Sequence, residues 1–358
     1  MADLRTDDKY AWGTRCASVL PELSMAFTIG KTIGHYEFID VLQSSKMGVT
    51  YKVRNTLANR FESLQVLPAS LQNDQESVNR FLRQVHLRAR MMHPNIVNFF
   101  NAAPLDGQFV MTTELVEAAT VADRLEIGPM PIAEALYYIC QVLDALSYAH
   151  GNGVVHRDIT PSNILITAPG IVKVAGFSLA KATDDANLTQ VGTVLGSLYY
   201  MSPEQVKGVR EIDARSDIYS AGVVLYQMIT GRRPFDFESQ FEIMAAHVSQ
   251  PPVPPMQCNG AISRELDYFI LKALAKNPAD RFQTADEFRA ALGGGANNVP
   301  AQQAPVEHRP TIAPTPVPVT APVAVPVVPM NERRRNIAIV AAFVLVFLAI
   351  AAYAFRII

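Results

Sequence analysis

The sequence predicts an α+β domain followed by an extended spacer and a single apolar helix. Three observations predict it. Short apolar runs bounded by polar residues open the region 35–293, and helical periodicity fills the rest of it. A proline-rich stretch then leads to 19 residues without a charge, Ile337 to Phe355.

Composition narrows the function classes. The chain has 358 residues, 49% of them hydrophobic, which is enough to fill a sizeable core and excludes global disorder. With 31 Lys and Arg against 33 Asp and Glu, the formal net charge is −2, and no nucleic-acid partner is expected from bulk charge. Cys16, Cys140 and Cys258 are odd in number and widely spaced, so they suggest neither a disulfide framework nor a zinc cluster. A reducing compartment is the default.

In chain order, residues 1–34 lack sustained periodicity and read as a flexible leader, with Met25 an alternative start to Met1. The runs Tyr36 to Leu42, Thr50 to Val53 and Phe61 to Leu67 predict an antiparallel sheet. A charged amphipathic stretch, Glu76 to Met92, predicts a helix stopped at His93-Pro94. Ile132, Leu136, Ile139, Leu143 and Leu146 recur at spacings of four and three, which predicts a long helix ended by Gly151 and Gly153, with Cys140 a core residue.

Beyond the domain, nine prolines between Pro300 and Pro329 block helix and sheet, so 294–335 reads as a semi-stiff linker. As a helix, Ile337 to Phe355 would reach roughly 28 Å at about 1.5 Å per residue, enough for a bilayer core, so 336–358 reads as a transmembrane helix. Arg333, Arg334 and Arg335 precede the span and only Arg356 follows it, which orients the domain toward the cytoplasm. Asp3, Arg5, Asp7, Asp8 and Lys9 interrupt any apolar run near Met1, so no signal peptide is expected and the chain reads as tail-anchored.

Within the domain, His156-Arg157-Asp158-Ile159-Thr160-Pro161-Ser162-Asn163 resembles the catalytic loop of protein kinases. Ser202-Pro203-Glu204 resembles the family's Ala-Pro-Glu, and Asp213 to Gly222, with Asp217, resembles the start of its central C-lobe helix. Asn277 to Phe282 resembles the segment that supplies an arginine, here Arg281, to Glu204. The chain is identified as a member of the bacterial eukaryotic-like Ser/Thr protein kinases. That resemblance implies a bilobal fold, with an antiparallel-sheet N-lobe carrying one helix and a mainly helical C-lobe.

The resemblance also assigns roles, and several positions depart from them. Asp158 matches the base that accepts the substrate hydroxyl proton, and Asn163 matches a magnesium ligand. In the glycine-rich loop, Gln43 and Ser45 replace the first two glycines and only Gly48 remains. A side chain there restricts the backbone approach to phosphates. Gln65 stands for the phosphate-binding lysine and Gln84 for its glutamate partner, so the ion pair becomes two neutral amides that can hydrogen-bond to each other. Gly176-Phe177-Ser178 stands for Asp-Phe-Gly, which removes the metal-binding carboxylate, and Thr160 replaces the catalytic-loop lysine.

Losing the lysine and the metal anchor, at about 2 to 3 kcal/mol each, would weaken MgATP binding by roughly three to four decades. Lys46 is a candidate replacement cation. The match further implies that Thr113 is the gatekeeper, Glu114 to Val116 the hinge and Leu165 the pocket floor, with Thr50 and Ser63 in place of apolar roof residues. In the activation segment from Asn187 to Ser197, Thr189 and Thr193 are candidate phosphate acceptors and Arg157 the receiving cation.

Three functions remain open. The first is a pseudokinase at the bacterial inner membrane that scaffolds or regulates an active kinase or other cytoplasmic signalling proteins, with no cofactor required. The second is an unconventional active Ser/Thr kinase using Asp158, Asn163 and Lys46. The third is a nucleotide sensor that binds ATP weakly without magnesium. The resemblance also implies homo- or heterodimers through the N-lobe.

Overall fold

In a computed structural model of the chain, the described residues are 27–45, 48–67, 75–177 and 195–293. The leader before residue 27, the linker and the apolar span expected at 336–358 lie outside them. Among the described residues, no helix is long and apolar enough to cross a membrane.

The N-terminal lobe is a six-stranded antiparallel sheet in the order β1-β2-β3-β4-β6-β5. The strands are β1 (Thr32–Ile33), β2 (Tyr36–Ser45), β3 (Gly48–Asn55), β4 (Arg60–Val66), β5 (Phe99–Leu105) and β6 (Gln108–Glu114). Alternate residues Phe38, Tyr51, Val53, Leu64, Val66 and Val110 bury one face of it. Helix α1 (Gln75–Arg88) lies on the other face, where Val78 and Phe81 pack with Leu67 and Met111.

Four details differ from the sequence-based expectation. Residues 27–34, expected to belong to a flexible leader, are packed, with Phe27 in the sheet core and β1 paired to Tyr36 and Glu37, because the apolar Phe27 and Ile33 find a buried face to cover. The hairpin of β5 and β6 is additional. Asp106 and Gly107, both at positive φ, close its two-residue turn, and Asp-Gly between apolar runs was the signal available for it. Strand β2 runs three residues past Leu42, because Gln43, Ser44 and Ser45 join the ladder opposite Thr50, Val49 and Gly48. Helix α1 ends at Arg88, before His93-Pro94, where Arg90 and Met91 turn back onto the carbonyls of Leu87 and Arg88.

The C-terminal lobe is helical around α3 (Ile132–Gly151) and α6 (Ala214–Thr230). In α3 the apolar face Leu136, Ile139, Leu143 and Leu146 is buried, and Cys140 packs partly buried against the same core. Helix α6 is buried along most of its length. Asp213 caps its N-terminus by accepting from the Arg215 amide. At Gly222 a Cβ would stand 2.9 Å from Cβ of Ala273, so only glycine lets α6 come this close to α9 (Arg264–Ala273).

Smaller elements connect these two. They are β7 (Ala119–Thr120), α2 (Val121–Ile127), β8 (Ile164–Ile166), β9 (Val172–Val174), α4 (Leu195–Leu198), α5 (Pro203–Val206), α7 (Gln240–Ser249), α8 (Pro255–Cys258) and α10 (Ala285–Gly293). Strands β7, β8 and β9 form a small second sheet. Val97 N–H donates to the Val174 carbonyl at 3.0 Å, and Val174 N–H donates to Asn95 at 2.8 Å. These bonds join the two lobes at the back of the cleft.

Candidate functional site

The loop from His156 to Asn163 is held from beneath by Asp217, which α6 carries at 0% exposure. Its Oδ2 accepts from the His156 amide and its Oδ1 from the Arg157 amide, both at 2.8 Å. His150 Nε2 lies 2.8 Å from the same Oδ2. These bonds secure a loop that contains a strained residue, Arg157, at φ +67°. Within the loop His156 Nε2 donates to the Ala175 carbonyl at 2.8 Å, which leaves Nδ1 to accept from the Asp158 amide at 3.2 Å. The His156 ring meets that of Phe177 edge-on at 4.4 Å.

Glycine stands where the resemblance places the metal-binding carboxylate. Gly176 sits at φ +84°, and a Cβ placed there would lie 3.0 Å from both Cγ and Oδ1 of Asn163. Asn163 turns its amide to Asp158, donating to the main-chain carbonyl at 2.8 Å and to Oδ2 at 3.1 Å. Hard cations such as magnesium take oxygen ligands from carboxylates and phosphates. Here the carboxylate is absent at Gly176 and Asn163, whose NH2 donates to Asp158, offers only its neutral Oδ1, so the side chains present fit a metal-bridged triphosphate poorly.

The other nucleotide positions are spread along the cleft. Gln43 and Thr50 face each other across β2 and β3, and Gly48 stands at φ +122°. Ser45 ends β2, with its side chain outside the described part, and Lys46 lies outside the described residues. Gln65 is on β4 opposite Thr50 and Met111, and Gln84 is on α1 with its side chain also outside the described part. Ser63 pairs with Thr113 across β4 and β6. Leu165 is on β8, opposite Thr120 and Lys173.

At the hinge, the Glu114 carboxylate accepts from Lys173 Nζ at 2.9 Å and from the Asn98 side chain at 2.9 Å, so it braces the two lobes. Past Val116, Lys52 Nζ reaches Glu117 at 3.0 Å. Thr160, in place of a lysine, is buried.

Comparison with known proteins matches this arrangement. The protein kinase domain profile covers residues 36–291. The chain belongs to the protein kinase family. It is 40% identical over 266 residues to the serine/threonine-protein kinase PknB of Mycobacterium leprae, covering 72% of this chain and 42% of that protein. It is 35% identical over 266 residues to PrkC of Bacillus subtilis, covering 74% and 41%. The chain thus spans about two fifths of the length of these curated relatives. Among solved structures, the PknI kinase domain of Mycobacterium tuberculosis superposes with a TM-score of 0.60 at 27% identity, over 75% of this chain and 99% of that one.

The lower half of the kinase domain carries the ion pair expected between Glu204 and Arg281. The guanidinium meets the carboxylate with both forks, Nη1 to Oε1 and Nη2 to Oε2 at 2.8 Å each, and Ser216 Oγ also donates to Oε1. Burial alone would raise the Glu204 pKa. The hydrogen bonds and charge of Arg281, helped by Ser216, outweigh it and hold the carboxyl below its usual range.

In the activation segment, Thr189 and Thr193 lie outside the described residues. Ser197, in α4, lines a small depression with Arg157, Asp158 and Thr160. Gln205, capped within α5 by Ser202, donates to the Arg157 carbonyl at 2.8 Å, a support that was not read from the sequence.

The kinase domain holds one further cation that sequence reasoning missed. Arg88, at the end of α1, donates from Nε to the Phe177 carbonyl at 2.8 Å and reaches Met111 Sδ from Nη1 at 3.7 Å. Burial lowers its pKa to about 10. Val78, Phe81, Val85 and Arg88 follow a 3-4-3 spacing, so an arginine on an otherwise apolar helix face was the available signal.

Proposed function

We propose that this chain is a pseudokinase, a kinase-fold protein that scaffolds or allosterically regulates active kinases or other signalling proteins and does not itself transfer phosphate. The observation that carries this reading is the missing carboxylate at Gly176, where an added Cβ would press on Asn163 at 3.0 Å. Gln65, neutral where the family carries a lysine, supports it from the other side of the cleft. Phosphoryl transfer rests on positioning and charge neutralisation, and both groups that would neutralise the donor are lost. Meanwhile the bonds from Asp217 and the Glu204 to Arg281 pair keep the C-lobe rigid, which suits a binding platform. The apolar span and the arginines before it support a place at the bacterial inner membrane with the domain on the cytoplasmic side.

The relatives named as kinases, together with Asp158 held in a braced loop, favour a second reading as an active Ser/Thr kinase. Thermal unfolding of the full chain with ATP, with and without magnesium, separates the readings. The pseudokinase gives no metal-dependent rise in Tm. A magnesium-dependent rise, together with transfer of labelled γ-phosphate that Asp158→Asn abolishes, would overturn the proposal. A rise with ATP alone would assign a metal-independent nucleotide sensor.

A further inference from the structure

Lys276 follows α9 in the helical lobe, and its amine is held among aromatic rings. Nζ lies 4.2 Å from the centre of the Phe235 ring and 5.9 Å from that of Tyr219. Both rings are buried, and Nζ donates to the Ala246 carbonyl of α7 at 3.0 Å. A second cation shares the Tyr219 ring. The guanidinium of Arg281 lies 4.9 Å from its centre and donates to the Lys276 carbonyl at 3.1 Å. Arg281 has Glu204 as its counter-ion, whereas among the described residues no carboxylate pairs with Lys276.

The remaining titratable groups around Nζ supply no negative charge. On α7, His247 packs edge-on against Phe235 at 4.9 Å and stays neutral, because burial, then the charge of Lys276, lowers its pKa to about 3. On α6, burial raises the pKa of the Tyr219 hydroxyl and keeps it protonated. Burial, and then the like charge of Arg281, disfavours the Lys276 ammonium and lowers its pKa to about 8. A neutral amine still has an N–H for the Ala246 carbonyl, so losing the proton breaks no contact.

A lysine desolvated beside another cation is a nucleophile near neutral pH. Lys276 is also partly exposed, so a small reagent reaches it. We propose that Lys276 is a site of acylation by small acyl phosphates. The nitrogen lone pair attacks the acyl carbon, the carbon–oxygen bond to phosphate breaks, inorganic phosphate leaves, and the proton shed by nitrogen passes to water. A small donor is required because Phe235, Tyr219 and α7 cover part of the amine. The product amide is uncharged, so the reaction removes the cation held between the rings and α7. None of these groups belongs to the nucleotide positions, and the reaction requires no bound nucleotide.

The test is reaction of the folded full chain with acetyl phosphate, followed residue by residue by peptide mass spectrometry, with the exposed Lys31 and Lys207 as internal references. At about pH 7.5, Lys276 should be acetylated at least about fivefold faster than either. Its rate should level off above about pH 8, whereas an ordinary lysine amine keeps gaining reactivity toward about pH 10. In guanidinium chloride the three rates should agree within about twofold, because the fold alone sets Lys276 apart.

A folded-state rate at Lys276 no higher than that at Lys31 or Lys207 would overturn the proposal. So would a rate ratio that survives unfolding, since the local sequence would then account for it. A Lys276 rate still climbing near about pH 10 would overturn it as well, because the amine would then be an ordinary one.

Discussion

Asn163 and Asp158 are bonded to each other: the amide of Asn163 donates to both the main-chain carbonyl and the carboxylate of Asp158, at 2.8 and 3.1 Å. These bonds fix the orientation of the Asn163 amide against the residue that would take a proton, and Gly176 leaves room for that arrangement.

Gly176→Asp is therefore expected not to rebuild a metal site. The new Cβ would press on Asn163 at 3.0 Å, and the φ of +84° disfavours a side chain. We predict a loss of about 1 to 3 kcal/mol in stability, measured by urea unfolding, with no magnesium-dependent rise in Tm on adding ATP. A magnesium-dependent rise in this single variant would show that a carboxylate at this position suffices to restore a metal site.

Breaking the buried pair should cost more. Arg281 is 2% exposed and meets Glu204 through two bonds. Glu204→Ala is predicted to destabilise the domain by about 3–5 kcal/mol, because it leaves an uncompensated buried guanidinium. Glu204→Ala with Arg281→Met should recover part of that loss in the same denaturant titration. A double variant no more stable than Glu204→Ala would contradict the pairing argument.

Asp217→Asn tests the support of the catalytic loop. The carboxylate accepts the amides of both His156 and Arg157, whereas an asparagine would turn an NH2 group toward one of them. A loss of about 2 kcal/mol or more is expected. Amide hydrogen exchange at His156 and Arg157 should accelerate beyond the global change.

His247 predicts an acid limb in stability. It is fully buried, its Nδ1 is 2.7 Å from the Tyr219 hydroxyl, and burial, with the charge of Lys276, lowers its pKa to about 3. The unfolded chain takes up the proton near pH 6.5, while the folded chain resists it down to about 3. Stability from this residue is thus complete above pH 6.5 and falls toward pH 3, by at most about 1.4 kcal/mol per pH unit. His247→Gln should show a shallower slope than the parent over that window in denaturant melts.

Membrane anchoring is predicted to depend on Ile337 to Phe355. The full chain should resist alkaline extraction from bacterial membranes, and a chain ending at Arg335 should appear in the soluble fraction. Equal partitioning of the two would remove the span from the proposal.

Much of the site was legible in the sequence, because kinase positions lie in short contiguous motifs. The eight residues from His156 to Asn163, the Gln65 and Gly176 replacements and the Glu204 partner at Arg281 were each readable from local patterns. Arg88 was not, because its importance depends on Phe177, 89 residues away. The β5 and β6 hairpin was missed although Asp106-Gly107 marked it, since its strands carry little alternation of apolar and polar residues.

The sequence by itself determined the family, the order of the elements and which charged groups are missing, since each of these is a matter of residue identity at a given spacing. Tertiary structure alone decided what fills the missing places. Only folding brings Asn163 over Gly176, seats Asp217 beneath two loop amides and ties Arg88 to the Phe177 carbonyl. Those outcomes depend on the distances and directions of side chains far apart in the chain, and spacing along a sequence does not encode them.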